Sequence, residues 1–210
     1  MSHRERSRLS FADALVRQRA GVNADLGRIT AVVKWYRFEH IVKGIYASAE
    51  GRPSYPPLTM LKCLLLQQWY GLSDVELEEA VSDRLSFRKF AGFALDEEVP
   101  DHTTYCRFRQ ELVKHGVAGK VFVEMNKQLE KRGLILKRGT LIDATLIEAD
   151  ATARQTEEGE IESSDPDADF ARRRGQAFFG YKAHVGVDQG SGLVRRALVT
   201  PANVHDSAAG

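Results

Sequence analysis

Cysteine is nearly absent: 210 residues hold two, Cys63 and Cys106, with no CxxC pair and no Cys/His spacing around either. That excludes a disulfide framework and a cysteine-built zinc site, and buried free thiols are expected at both positions. Long apolar runs are also missing. No stretch approaches the roughly 20 residues needed to cross a bilayer, and the Arg-rich first residues lack the apolar core of a signal peptide. A membrane partner is therefore not expected, and a cytoplasmic location is. The histidines His102, His115, His184 and His205 show neither HxxxH nor HxH spacing, which argues against a histidine-built zinc site. No internal repeat is present.

Net charge is small as well, +1 at neutral pH, but it is unevenly spread. Residues 1–60 carry ten Lys/Arg against five acids, residues 139–170 carry ten acids against Arg154, and the last forty carry six bases against two acids. Nucleic-acid binding needs a local basic face rather than a high overall charge, so such a partner stays open while an unspecific charge-only coat does not.

The first half has helical periodicity. Pro56-Pro57 opens a run to Tyr70 with Leu58, Leu61, Leu65 and Trp69 on one stripe and Gly71 past its end. Ser73 with Glu76 forms a capping-box pattern at the start of the next helix. A short segment, Ser86–Phe90, closes at Gly92. Asp101 then caps a helix over Thr103–Val113, and a last one runs from Val117 to Arg132 with Gly133 beyond it. Upstream, Ile29–Tyr46 is expected to form one amphipathic helix, preceded by a flexible basic N-terminus over residues 1–28. The helical domain is placed at residues 29–135.

From Gly139 the period becomes strand-like, and a second domain is placed at residues 139–210. Its first strand, Gly139-Thr-Leu-Ile-Asp-Ala-Thr-Leu-Ile-Glu148, carries Asp143 among Leu141, Ile142, Leu146 and Ile147, a buried-strand pattern. A carboxylate buried there needs a cation, a metal or an open sheet end. Residues Ala151 to Arg174 show no apolar face and are expected to form a long exposed or disordered loop. A β-hairpin follows, Phe179–Asp188 and Leu193–Thr200 around Gln189-Gly-Ser-Gly192.

Alternation along Tyr181–Val187 puts Lys182 and His184 on one strand face, where they could offer a cationic edge to a phosphodiester near Asp143. A solvated sheet face accounts for the same pair. In the helical half, Arg88 and Lys89 lie between Phe87 and Phe90, and Arg107 and Arg109 lie on the next helix. Two short helices, a turn and an Arg-bearing third helix could enter a major groove. A helical bundle with arginines lying over its surface would look the same. Asp206 is either a helix N-cap with Ser207 or a second acid.

Several collinear motifs resemble one family. They are Pro57-Leu-Thr-Met-Leu-Lys-Cys-Leu-Leu-Leu-Gln-Gln-Trp-Tyr-Gly-Leu-Ser-Asp74, Asp83-Arg-Leu-Ser-Phe-Arg-Lys-Phe90, Val99-Pro-Asp-His-Thr-Thr104 with Arg107-Phe-Arg109, Ile142-Asp-Ala-Thr145, Phe179-Gly-Tyr-Lys-Ala-His184 and Thr200-Pro-Ala-Asn-Val-His-Asp206. Together they resemble the transposases of the bacterial insertion-sequence-five group.

The resemblance implies an α+β chain, a helical N-terminal domain followed by a ribonuclease-H-like α/β core of strand, long loop and β-hairpin. It implies a nucleoid-associated enzyme that cleaves and joins DNA ends by two-metal chemistry, normally with magnesium. DNA partners would be terminal inverted repeats and target DNA, with self-association on paired ends. Asp143 matches the first acid of the DDE triad, as catalytic residue and metal ligand. The family places its second Asp and its Glu after the His-Asp-Ser motif, and the sequence ends at Gly210. An incomplete core, inactive alone, is the corresponding expectation. The alternative is a DNA-binding or regulatory remnant acting on element ends or on full-length transposase.

Overall fold

The computed structural model describes residues 24–45, 54–137, 139–151, 153–155, 161–173 and 175–205. Among them are seven helices followed by six strands, an α+β arrangement. The chain divides into two compact units, Met1–Gln128 and Leu129–Gly210.

The first unit begins with α1 (Ala24–Val32) and α2 (Trp35–Val42). The single helix expected over Ile29–Tyr46 is thus two, and α1 starts inside the segment expected to be flexible. Residues 1–23 and Tyr46 lie outside the described residues. The break has a local cause. Gln128 accepts the Lys34 backbone N–H at 2.8 Å and donates to the Lys34 carbonyl at 3.4 Å, so a side chain takes the place of helical partners there.

Next come α3 (Pro57–Tyr70), α4 (Asp74–Asp83), α5 (Leu85–Ala91), α6 (His102–Lys114) and α7 (Val117–Lys131), whose final turn crosses into the second unit. Pro57 starts α3, and Gly71, at φ 63°, ends it in the left-handed conformation. The stripe of Leu58, Leu61, Leu65 and Trp69 is only in part the inward face. Met60, Cys63, Leu64 and Leu66 are buried with Leu61, while Leu58 and Leu65 are half-buried and Trp69 is exposed. Helices α2, α4, α5 and α6 all pack on α3, so it is covered on most sides. Phe38, Phe87, Tyr105 and Phe108 fill the space between them.

Side-chain caps match the sequence. Ser73 Oγ accepts from the Glu76 N–H at 3.2 Å and Glu76 accepts from the Ser73 N–H at 2.7 Å. At α6, Asp101 accepts from the Thr103 hydroxyl and the Thr104 N–H, which together hold its carboxyl down at about 2.

The second unit holds β1 (Thr140–Glu148), β2 (Ala153–Gln155), β3 (Ile161–Ser163), β4 (Asp169–Arg173), β5 (Gln176–Asp188) and β6 (Val194–Pro201). The stretch Ala151–Arg174, expected as a loop, therefore contributes three strands. Backbone pairing forms them, with Phe170 packed on Phe179 at 4.9 Å, and short polar strands of this kind give no sequence period. Strand β5 is the spine of a four-stranded antiparallel sheet. Strand β1 runs along one edge of it, and β4 and then β6 run end to end along the other. Gly180 pairs with Glu148 on one side and Asp169 on the other, and a Cβ there would overlap the Ile147 carbonyl and crowd the Ala149 nitrogen at 2.7 Å. Only glycine admits so close an approach.

Candidate functional site

Asp143 sits at the middle of β1, paired with Val185, which in turn pairs with Ala197 of β6. Paired residues share a sheet face. Asp143 therefore stands with Leu141, Thr145, Ile147, Ala183, Val185 and Val199, and among the residues of β1, β5 and β6 on that face it is the one charge. Both neighbours across the sheet are small or branched and do not cover it, and the carboxylate is exposed. Its one hydrogen bond given by the structure is local, from the Ala144 N–H at 2.9 Å.

The buried-strand expectation is corrected here. Leu141, Ile142 and Ile147 are exposed, Ile142 by 64%, so the apolar run marks strand propensity rather than burial among the described residues.

The cationic edge expected from Lys182 and His184 does not lie beside Asp143. Strand side chains alternate, and Asp143 is in register with Val185, so Lys182 and His184 point to the opposite face. On that face each is engaged. Lys182 donates to the Val204 carbonyl at 2.7 Å, and His184, 4% exposed, has Nε2 at 3.0 Å from Thr200 Oγ1. His184 Nδ1 is buried without a hydrogen-bond partner.

One residue that positions the site escaped the sequence. Asp188, fully buried at the end of β5, accepts the Leu136 N–H at 3.1 Å and the Lys137 N–H at 2.8 Å, just ahead of β1. It also accepts the Ser191 hydroxyl at 2.7 Å and the Ser191 N–H at 3.1 Å. The Ser191 hydroxyl chiefly, with those backbone donors, holds its carboxyl below the ordinary range. One carboxylate thus ties the entrance of β1 to the β5–β6 turn and fixes Lys137 at φ 54°. The Asp-x-x-Ser spacing of a side-chain-stabilised turn was the available signal.

In the helical unit the four basic candidates divide. Arg88 is 7% exposed, turned inward, and donates to the carbonyls of Ala94, Leu95 and Glu97 at 2.5, 3.1 and 2.6 Å. It organises the chain after α5 and is not available to a phosphate. Arg109 pairs with Asp74 and donates to Gln67 Oε1 at 3.0 Å, joining α6 to the ends of α3 and α4 and holding the Asp74 carboxyl low. Lys89 and Arg107 are exposed.

Among the described residues no three His, Cys, Asp or Glu side chains come together as a metal cluster. Asp143, exposed and acceptor-only, fits as a single ligand to a hard cation, and the described residues supply no fuller set. Asp206 lies outside them. No described helix is long and apolar enough to cross a membrane.

Two family models match the chain. One, described as a transposase domain (DUF772), covers residues 14–111, and the other, a transposase DDE domain, covers residues 135–210. No solved structure matches. A DDE domain implies dependence on a divalent metal, and a transposase acts on DNA. Matched over most of its length by these two models in succession, and consistent with the insertion-sequence-five type, the chain belongs to the DDE transposases.

Proposed function

We propose that this transposase cleaves and joins the ends of an insertion sequence at its terminal inverted repeats, with Asp143 as a carboxylate ligand of catalytic magnesium. The observation that carries the proposal is the placement of Asp143, an exposed acid at the centre of a strand matched by the DDE model. A divalent cation, when bound, activates the attacking hydroxyl and offsets charge on the leaving oxygen. The part of Asp143 is to present one hard, ionised oxygen donor from a fixed strand position. Val185 and Ala197 keep the sheet beside it low and uncharged, so a phosphodiester can approach without meeting a competing cation. In this reading residues 29–135 contact DNA, with Arg107 and Lys89 as phosphate-facing cations, and residues 139–210 carry the chemistry. Self-association on paired ends and a place at the nucleoid belong to the same reading.

The test uses duplex DNA carrying the repeats that flank the coding sequence. Preference for that DNA over a shuffled duplex is expected, with magnesium-dependent nicking, in this chain or a longer product of the locus, that Asp143→Asn abolishes. Nicking that survives Asp143→Asn would remove Asp143 from the site. Equal binding to shuffled DNA would remove end recognition.

A further inference from the structure

The end of α3 presents two adjacent aromatic rings. Trp69 is 42% and Tyr70 38% exposed, and Gly71 stops the helix directly after them. Each ring is backed by a buried phenylalanine of α5. Trp69 meets Phe90 edge-on at 5.6 Å, and Tyr70 meets Phe87 at 4.7 Å. Each of those phenylalanines also has a cation over it: Lys62 Nζ lies 5.5 Å from the Phe90 ring centre and Arg84 Cζ 5.0 Å from that of Phe87. Two ring–ring–cation units therefore stand side by side, while Lys89, between Phe87 and Phe90 in sequence, is exposed on another face of α5.

This arrangement suits one class of ligand. A side chain already packed on a buried ring loses little freedom when something stacks on it. Flat rings flanked by cations match a nucleotide strand, in which bases stack and phosphates seek positive charge. Duplex DNA does not offer that match, because its base faces are covered and its grooves are read by hydrogen-bonding side chains. Helix α4 exposes Glu76, Glu79 and Asp83 and forms an acidic border. The phosphates of a bound strand would follow Lys62 of α3 and Arg84 instead.

We infer that Trp69 and Tyr70 form a stacking platform for unpaired nucleotides, with Lys62 and Arg84 countering the phosphates. The inference rests on the reading of DNA as the substrate and adds that part of it is engaged as single strand.

The experiment compares a labelled oligothymidylate with a blunt duplex of equal length, by anisotropy and by quenching of tryptophan emission. The intact chain is expected to bind the oligothymidylate with quenching. Trp69→Leu should lose roughly tenfold in single-strand affinity while duplex affinity stays within about twofold. Trp69→Phe, which keeps a ring on Phe90, should retain most of the binding, and its melting curve and that of Trp69→Leu verify folding. Arg84→Ala should reduce the salt dependence of single-strand binding. Unchanged single-strand affinity in both Trp69→Leu and Tyr70→Leu overturns the platform and leaves duplex recognition standing. Failure to bind either DNA overturns the platform together with the DNA-contacting role of this unit. A sedimentation change in Trp69→Leu with DNA affinity intact also overturns it and assigns the patch to protein contact.

Discussion

Asp143 stands directly across from Val185 and one position out of step with His184. A one-residue difference in a strand is a difference of face, so the acid and the Lys182–His184 pair work on opposite sides of the same sheet. Substitutions of that pair should therefore act through folding. His184→Ala empties a buried position and removes the Thr200 contact, at about 1–3 kcal/mol, and Lys182→Ala releases the Val204 carbonyl. Both are expected to lower the melting temperature of the second unit while metal-dependent chemistry, normalised to folded protein, is retained. Loss of that chemistry at unchanged stability would place the pair in the site after all.

Arg88 gives a sharper case in the helical unit. Its guanidinium serves three carbonyls of the chain after α5 from a buried position. Arg88→Ala leaves buried acceptors without a donor and is expected to cost about 3 kcal/mol or more. All three acceptors gather at one terminal nitrogen, Nη2, so Arg88→Lys, whose ammonium carries three donors on a shorter stem, should recover part of the loss. Denaturant unfolding measures both. A loss of DNA affinity without loss of stability would return Arg88 to the DNA surface.

Asp188 links stability to pH. Its carboxyl is held below the ordinary value by the Ser191 hydroxyl and the Leu136, Lys137 and Ser191 backbone donors. A group with a depressed folded-state value stabilises the fold fully above its unfolded value, near 4. The contribution fades as pH falls from there through the lowered folded value. Melting followed by circular dichroism should show the second unit losing stability below about pH 4. Asp188→Asn should be less stable at neutral pH and should lose less on acidification. An identical acid profile for the two proteins would show that Asp188 is not the linked group.

The helical unit was largely legible because its signals are local: Pro57, the Ser73–Glu76 box, Asp101 and Gly71 each act within one turn of chain. What was missed there depends on distant partners. Gln128 reaches across to split Ile29–Tyr46, and the aromatic shell around α3 hides faces that a one-helix stripe cannot reveal. In the second unit Asp143 was found because a charge among branched residues is conspicuous. Its relation to Lys182 and His184 was not legible, because register is set by pairing over some forty residues and shifts face with each single step. Strand β4 was invisible for a related reason: Arg172 and Arg173 pair through the backbone with Ala177 and Gln176, whatever their polarity.

Arg107 and Arg109, two residues apart on α6, should behave differently in a DNA-binding assay. Arg109 is spent on Asp74 and Gln67, half-exposed, so Arg109→Ala is expected to cost about 1 kcal/mol of stability after allowance for solvent screening. Its effect on DNA should be confined to what that loosening of α3, α4 and α6 brings. Arg107 is exposed. If it meets a phosphate, Arg107→Ala should weaken binding on every DNA sequence alike and lower the slope of log affinity against log salt by about 1. Salt titrations of the two variants separate the cases, since a structural loss shifts affinity without changing the number of counterions released. A reduced slope in Arg109→Ala with the slope of Arg107→Ala unchanged would invert the assignment, and would mean that the Asp74 pair opens when DNA arrives.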